Sequence, residues 1–263
     1  MDKKKKIWKV IFCVAVIVCA VSIGVFGWTK YQNYKAEKDK EATLKAIESS
    51  EFVGETDGKE PEIPTGIKHG KGIDFRKLAK INDEIYAWIY VPGTRIDYPI
   101  AQSAESDEHY LKYNFKNEPE FAGCIYTEKA NKKNFTDPNT VVYGHNMKNG
   151  SMFQNLHKFE DEAFFKKHTK VYVYTPKKIY VYTIFAAYTY DDRHLLKSFD
   201  FSDKKVFANY LKNVMHTRDM SSNIRTEQKV TDRDKIITLS TCVGGQPNNR
   251  YLVQAVLTDE KDA

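Results

Sequence analysis

Short runs of apolar and aromatic residues recur between residues 86 and 257, and each is bounded by polar residues, proline or glycine. Tyr, Val, Ile and Thr dominate these runs, as they do in β-strands. Pro92-Gly93 and Pro176-Lys177-Lys178 separate two pairs of runs as turns would. The pattern predicts a mainly β domain of eight strands, built as an antiparallel sheet that closes into a barrel. The predicted strands are Tyr86 to Val91, Ile96 to Ala101, Gly123 to Thr127, Thr140 to Tyr143, Val171 to Thr175, Tyr180 to Ala187, Ile236 to Thr241 and Tyr251 to Leu257.

Helical periodicity is weaker in this region, and it is clearest from Asp203 to Met215. Apolar side chains recur there at three- and four-residue steps, which predicts a peripheral helix with one face against the barrel. Ser202 or Asp203 would cap its start. Core packing accounts for the apolar face, so no site is predicted on it. Shorter helices are predicted at Phe75 to Ile81, Ser151 to Leu156 and Glu160 to His168.

The N-terminal segment has a different pattern. Residues from Val10 to Trp28 are apolar or small and follow the basic cluster Lys3 to Lys6, so the run is long enough to cross a bilayer as a helix. The basic side is expected to stay in the cytoplasm, which predicts a single-pass type II anchor with the domain outside. A cleaved secretory signal is the alternative, with a weak site at Ala20-Val21-Ser22. The apolar run continues past that site, which favours the retained anchor.

The chain is therefore interpreted in three parts. Residues 1–29 form the cytoplasmic basic start and transmembrane anchor, and residues 30–70 form a charged spacer and linker. The spacer is rich in Lys, Glu and Ala, as an exposed helix is, and then gives way to a Gly- and Pro-containing stretch typical of a flexible linker. Residues 71–263 form one catalytic domain.

Composition excludes several classes of function. Hydrophobic residues make up 41% and charged residues 29% of the chain, which is ordinary for a globular domain with an appendage. Part of the formal charge of +6 comes from the N-terminal lysines, so nucleic acid is not an expected partner. Only Cys124 and Cys242 lie in the domain, where a disulfide framework is not expected. The sequence has no Cys/His cluster with zinc spacing, so neither a metal nor a cofactor is predicted.

Three residues with catalytic chemistry lie at or near predicted strand ends. Cys242 ends an apolar run, Arg250 follows eight residues later, and His145 follows the run V-V-Y-G. A thiolate attacks carbonyls, an imidazole moves protons, and a guanidinium stabilises a developing oxyanion. The residues from 243 to 249 carry no acid, so a local Cys-His-Asp triad is unsupported. Asp137 or Asp191 could orient His145 from elsewhere, although a surface role fits either better.

The other histidines, at positions 69, 109, 157, 168, 194 and 216, do not follow a β-branched run as His145 does. Those at 109, 157, 168 and 194 lie in loop or helical sequence beside charges, the setting of solvated residues. Tyr143 and Asn146 flank His145, and ordinary packing accounts for both.

The stretch T-L-S-T-C from Thr238 to Cys242 resembles the signature of the sortases, together with the earlier histidine and the later arginine. Asn82 to Gln102 and Phe121 to Tyr126 also look like sortase core strands, so the resemblance runs from about Asp74 to Leu257. The helix predicted from Asp203 to Met215, in the connection before the cysteine strand, favours class B. The resemblance implies the eight-stranded sortase-type barrel.

The resemblance also implies a reaction. Cys242 would attack the threonine carbonyl of a C-terminal sorting signal in a secreted protein and form a thioester. His145 would protonate the leaving amine and then take a proton from an amine of the peptidoglycan precursor, while Arg250 would bind the carbonyl or the oxyanion. The anchor would hold the enzyme in the membrane.

Three neighbours of the cysteine are further candidates for substrate contact: Ser240, Thr241 and Val243. By strand alternation Ser240 shares a face with Cys242, although a core hydroxyl bonded to the backbone is an equal alternative. The backbone N–H of Val243 would be a second oxyanion donor.

Two other functions remain open on the sequence alone. A thiol protease using the same Cys242 and His145 would hydrolyse exported peptides without depending on an amine. A membrane-tethered binding module with the same barrel would have an inert Cys242. Sorting signals of the N-P-x-T-x and x-P-x-T-G types are both compatible with the resemblance, as are a branched crossbridge and a directly linked diamino acid as acceptor.

Overall fold

The structure, a computed structural model, describes residues 2–48 and 73–262 in two compact units. The first unit ends at Leu44 and is formed by helix α1 (Asp2–Glu48), whose last four residues belong to the second unit. Its segment Lys6–Gln32 is apolar and long enough to span a membrane, and it contains the predicted anchor. The predicted flexible linker falls within residues 49–72, outside the described residues, so the three-part division stays a prediction.

The second unit is a closed barrel of eight strands. The strands are β1 (Ile85–Tyr90), β2 (Asp97–Ala101), β3 (Ile125–Thr127), β4 (Asn139–Tyr143), β5 (Lys170–Tyr174), β6 (Lys178–Asp191), β7 (Asn223–Ile224), β8 (Ile236–Val243) and β9 (Gln246–Asp262). Around the barrel the order is β5-β1-β2-β3-β4-β8-β9-β6, and β6 pairs back with β5. All eight predicted strands are confirmed, and the two-residue strand β7 is added on the edge of β6.

The predicted antiparallel pairing is wrong at two places. The pairs β2–β3 and β4–β8 are parallel, and the remaining pairs are antiparallel. Parallel neighbours need a long connection that returns the chain to the same end of the sheet. Residues 144–235 provide it between β4 and β8, and they contain β5, β6 and helices α3 (Glu162–Lys167), α4 (Leu195–Ser198) and α5 (Lys204–Met215).

Two apolar clusters flank the barrel wall. Val142, Leu239 and Val253 are fully buried inside the barrel. On the outer side, helix α5 buries Phe207, Tyr210, Leu211 and Val214 against a cluster that includes Val141 and Leu252. Asp203 caps α5 by accepting hydrogen bonds from the N–H groups of residues 205 and 206. The predicted helix and its apolar face are therefore confirmed.

The remaining helical segments are short. Helix α2 (Phe75–Ile81) has the predicted bounds, with Asp74 as its cap. The predicted helix at Ser151 to Leu156 is a 3-10 helix displaced to Phe153–Glu160, and His109–Leu111 forms another. Four-residue α4 was not predicted, because one helical turn shows no periodicity.

Candidate active site

Strands β4, β8 and β9 lie side by side and position the three predicted catalytic residues. In the parallel β4–β8 pair, Tyr143 lies opposite Ser240, so His145 and Cys242 each come two residues later at the same edge. In the antiparallel β8–β9 pair, Cys242 lies opposite Arg250. The cysteine strand is therefore the central one, with the histidine strand on one side and the arginine strand on the other.

The side chain of Cys242 points away from the barrel interior. Residues 237 and 239 of β8 fill the interior, while Ile236 packs with the outer cluster. Because side chains alternate along a strand, Ser240 and Cys242 lie on the outer face. The first six residues of β8 are buried and Cys242 is exposed, so the thiol is accessible to a substrate.

Arg250 is the cross-strand partner of the thiol. Directly opposite residues of an antiparallel pair have Cβ atoms about 5 Å apart, so both side chains emerge at one place. The Arg250 Nη1 donates to the carbonyls of Pro247 at 2.9 Å and Asn249 at 3.0 Å. These contacts hold the guanidinium against the turn that precedes it.

The imidazole of His145 is half-buried and held by two neighbours. Its Nε2 lies 2.9 Å from the carbonyl oxygen of Leu111. Since a carbonyl only accepts, Nε2 carries the hydrogen in this contact, which leaves Nδ1 as the basic atom of the neutral ring. Phe121, which is 81% exposed, stacks on the ring with centroids 6.1 Å apart.

The turn before His145 is tied closely to β8. The Gly144 N–H donates to the carbonyl of Ser240, and the Thr241 hydroxyl donates to the Gly144 carbonyl at 2.8 Å. A Cβ added at Gly144 would lie 2.5 Å from Ile125 Cδ1 and 2.7 Å from Phe153 Cγ. Only glycine fits there, and its close approach to the core fixes where His145 emerges.

The other three predicted site residues differ in accessibility. Ser240 and Thr241 are buried, and Val243 is half-buried opposite Gln246. The Thr241 hydroxyl is already engaged with Gly144. A substrate contact by any of the three stays a prediction.

Neither carboxylate considered as a partner for the histidine bonds to it among the described residues. Asp137 precedes β4, at the end of that strand away from His145, and accepts from the Lys132 N–H. Asp191 forms an ion pair with Arg193 at 2.8 Å, and that hydrogen-bonded arginine lowers the pKa of Asp191. The carbonyl of Leu111 takes the orienting position instead.

Sequence reasoning missed the surroundings of the Cys242 carbonyl. His157 was predicted to be solvated, but its side chain is only 16% exposed, and its Nε2 lies 3.0 Å from the carbonyl oxygen of Cys242. Asn146 Nδ2 donates to the same oxygen at 2.8 Å. The one local signal was Glu160 three residues after His157, the spacing at which helical side chains meet.

An aromatic pair was also missed. Tyr126 and Tyr143 stack with centroids 5.4 Å apart on neighbouring strands β3 and β4. Burial raises the pKa of the Tyr126 phenol, and the negative charge of Glu128 acts in the same direction. Because Tyr143 lies opposite Ser240 in the β4–β8 pair, the two rings are close to the site. Cys124, by contrast, is buried and its pKa is raised chiefly by burial.

Within the described residues, His, Cys, Asp and Glu side chains form no group that could hold a metal ion. The exposed Cys242 therefore lies on the strand between those that carry His145 and Arg250, which is the placement that a thiol nucleophile, a proton carrier and a fixed cation would need.

Comparisons with known proteins agree with this chemistry. The family model described as the sortase domain matches residues 89–258. Sortase B of Listeria monocytogenes is 39% identical over 170 residues, which cover 64% of this chain and 67% of the relative. Sortase B of Staphylococcus aureus is 26% identical over 226 residues, which cover 86% of this chain and 87% of the relative.

Solved structures give the same result. Clostridium perfringens sortase B superposes with a TM-score of 0.64 at 34% identity, over 70% of this chain and all of that one. A Staphylococcus aureus sortase B–substrate complex superposes with a TM-score of 0.62 at 28% identity, and the match covers 70% of this chain and 84% of that one. The chain belongs to the sortase family, which comprises cysteine transpeptidases acting at the cell surface on proteins with sorting signals. Within that family it is most similar to the class B enzymes.

Proposed function

We propose that this sortase is anchored in the membrane, cleaves a C-terminal sorting signal after threonine and joins the surface protein to a cell-wall amine. The observation that carries the proposal is the register of β4, β8 and β9, which gathers a histidine, an exposed cysteine and an arginine at one edge of the barrel. Each has the chemistry that one part of the reaction requires.

In the first step the Cys242 thiolate attacks the carbonyl carbon of the substrate threonine. A C–S bond forms, and the C–N bond to the following residue breaks as the tetrahedral intermediate collapses. His145, in its protonated form, gives its proton to the departing amine. The C-terminal fragment leaves, and the surface protein remains on the enzyme as a thioester.

Arg250 stabilises the oxyanion of that intermediate. Its contacts with the Pro247 and Asn249 carbonyls both use Nη1, so we assign the hydrogens on Nε and Nη2 to the substrate oxygen. A guanidinium stays charged at any working pH and presents its donors in a fixed fork. The Val243 N–H is proposed as a second donor, and Ser240 and Thr241 as neighbours of the bound peptide.

In the second step an amine of the peptidoglycan precursor attacks the thioester carbonyl. His145, now neutral, takes a proton from that amine, an amide bond forms, and the Cys242 thiolate is released. Water competes as a slower acceptor. The net result is exchange of one amide bond for another.

The membrane topology is part of the proposal. Lys6–Gln32 is the candidate membrane span, and Lys3 to Lys6 lie at its N-terminal end. Positive charge is retained on the cytoplasmic side, so the catalytic domain is placed outside the cell as in a single-pass type II protein.

The test is mass spectrometry of the full-length protein in detergent with fluorogenic peptides of the N-P-x-T-x and x-P-x-T-G types. Each is incubated with and without a diamino acid or oligoglycine acceptor. The expected result is cleavage after threonine, an adduct on Cys242 and an acceptor-dependent ligated product. Cys242→Ala is the control and should form no adduct. Cleavage without ligation would instead identify a protease, and an unreactive Cys242 with both peptides would identify a binding module.

A further inference from the structure

The backbone carbonyl of Cys242 is held by two side chains from the segment that follows β4. Asn146 Nδ2 donates to it at 2.8 Å, and His157 Nε2 lies 3.0 Å away. Asn146 is the immediate neighbour of His145, and His157 belongs to the 3-10 helix Phe153–Glu160. The nucleophile is therefore tied directly to the segment that carries the proposed base.

Two further contacts fix the ring of His157. Its Nδ1 lies 2.6 Å from Glu160 Oε1, and its face stacks on the ring of Tyr251 at 5.0 Å between centroids. Tyr251 is fully buried and is the residue after Arg250 in β9. With only 16% of the side chain exposed, His157 is a packed residue in a defined orientation.

The donors and acceptors of this group form a connected chain. Glu160 accepts from Nδ1–H of His157, and the Asn146 amide lies 3.1 Å from Nε2. Nε2 reaches the Cys242 carbonyl directly, at 3.0 Å, and also through the Asn146 amide, which donates to the same oxygen. The ring, the amide and the carbonyl therefore hold one another in place.

The turn immediately beyond the cysteine strand makes no close side-chain contacts. A Cβ added at Gly244 or Gly245 would meet no atom within 4 Å, so the turn after Val243 is open. The β8–β9 register also shifts between Cys242 and Val243. Since a peptide unit is planar, fixing the Cys242 carbonyl also fixes the Val243 N–H, which points the opposite way.

We propose that His157, braced by Glu160, and Asn146 form a carbonyl clamp that positions Cys242 for acylation. The inference rests on the proposed function and adds positioning residues to it. These side chains act through the backbone of the nucleophile, not on the substrate. Loss of the clamp leaves the thiol present and reactive, but no longer held at the angle that the substrate carbonyl and His145 require.

The test compares variants of the full-length chain in detergent by three measurements: kcat and KM for the sorting-signal peptide, the rate of alkylation of Cys242 by iodoacetamide, and Tm. His157→Leu removes the ring nitrogen that contacts both the Cys242 carbonyl and the Asn146 amide, and it should lower kcat by about tenfold or more with KM nearly unchanged, because small misplacements of reacting groups are costly. Alkylation, which needs no such geometry, should stay within about twofold. His157→Gln, whose amide can donate to the carbonyl, should recover most of kcat.

His194→Leu is the matched control. His194 Nε2 also contacts a carboxylate, that of Glu128, at 2.8 Å, but no contact with Cys242 is found for it among the described residues. The control should keep kcat. An unchanged kcat in His157→Leu, an equal loss in His194→Leu, or a fall in alkylation and Tm that parallels kcat would overturn the clamp. If the unmodified enzyme turns over neither peptide, the proposed function is contradicted, and the proposed role of the clamp in acylation falls with it.

Discussion

Cys242 and Arg250 are direct partners across the β8–β9 ladder, although seven residues separate them in the chain. The turn at Gly244 and Gly245 brings β9 back beside β8, and Gly245 has a φ of +74°, which suits glycine. The proposed nucleophile and the proposed oxyanion donor are thus set by one hairpin. His145 is set separately, by a parallel strand pairing whose connection is 92 residues long, from 144 to 235.

Arg250→Lys should lower kcat by about 100-fold or more, because an ammonium cannot reproduce the fork of a guanidinium toward an oxyanion. The measurement is steady-state cleavage of the peptide that the parent prefers. Arg218→Lys is the matched control, since Arg218 also donates from Nη1 to backbone carbonyls, those of Met215 and Thr217. Full activity in Arg250→Lys would mean that charge alone suffices.

Gly144→Ala should lower both Tm and kcat. The added methyl group would overlap Ile125 and Phe153, and overpacking of this kind costs about 1–3 kcal/mol, or several degrees of Tm. Thermal unfolding and peptide turnover report the two effects. Gly244→Ala is the control, because its Cβ meets nothing within 4 Å and should change Tm little. Equal Tm values for both variants would contradict the packing argument.

The two domain cysteines should differ sharply in reactivity toward iodoacetamide. Cys242 is exposed and should be labelled in the native state, whereas burial keeps the pKa of Cys124 well above its usual 9.0. Raising the pH from 7 to 9 should therefore leave Cys124 a thiol and unlabelled. Peptide mapping in increasing urea should show its labelling only as the domain unfolds. Native-state labelling of Cys124 would show that it is accessible.

Glu260 should contribute stability that depends on pH. Its hydrogen bond with Lys178 at 2.8 Å, assisted by Lys235, lowers its pKa below the usual 4.5. A carboxyl group whose pKa is lower in the folded state than in the unfolded state stabilises the fold at any pH above its unfolded-state pKa. That contribution to stability is lost as the pH falls through the folded-state pKa. Glu260→Gln should therefore lower Tm at pH 7 by up to about 3 °C, and the difference should close in acid.

Thermal unfolding between pH 7 and pH 3 provides the measurement for that variant. Glu162→Gln, which breaks a highly exposed pair with Lys166, is the control and should have little effect at any pH. A difference for Glu260→Gln that persists at pH 3 would point to packing instead of charge.

The strands, and the three candidate catalytic residues at or near their ends, could be predicted from the sequence because those signals are local. Ile236 to Thr241 is a run rich in β-branched residues, and the accessible Cys242 follows it directly. The order of strands in a sheet depends on residues far apart in the chain, so the pattern of apolar runs could not predict that β4 pairs with β8 in parallel. The role of each catalytic residue is still a prediction, since position alone does not establish chemistry.

The environment of His157 shows a second limit of sequence reasoning. Its partner is a backbone carbonyl 85 residues away, and a backbone carbonyl has no residue-type signature. The same holds for His145, whose ring bonds to the carbonyl of Leu111 and not to a carboxylate. A search for side-chain pairs such as His with Asp passes over contacts of this kind.

The barrel wall divides β8 into two sets of positions with separate duties. Inward residues such as Leu239 determine how firmly the domain holds together, while outward Cys242 faces the solvent where peptides arrive. The outward set is not uniform, because Ile236 is covered by the outer cluster and only the end of the strand reaches solvent. An engineer who wishes to alter reactivity at Cys242 can therefore substitute at the strand end and leave both apolar clusters intact.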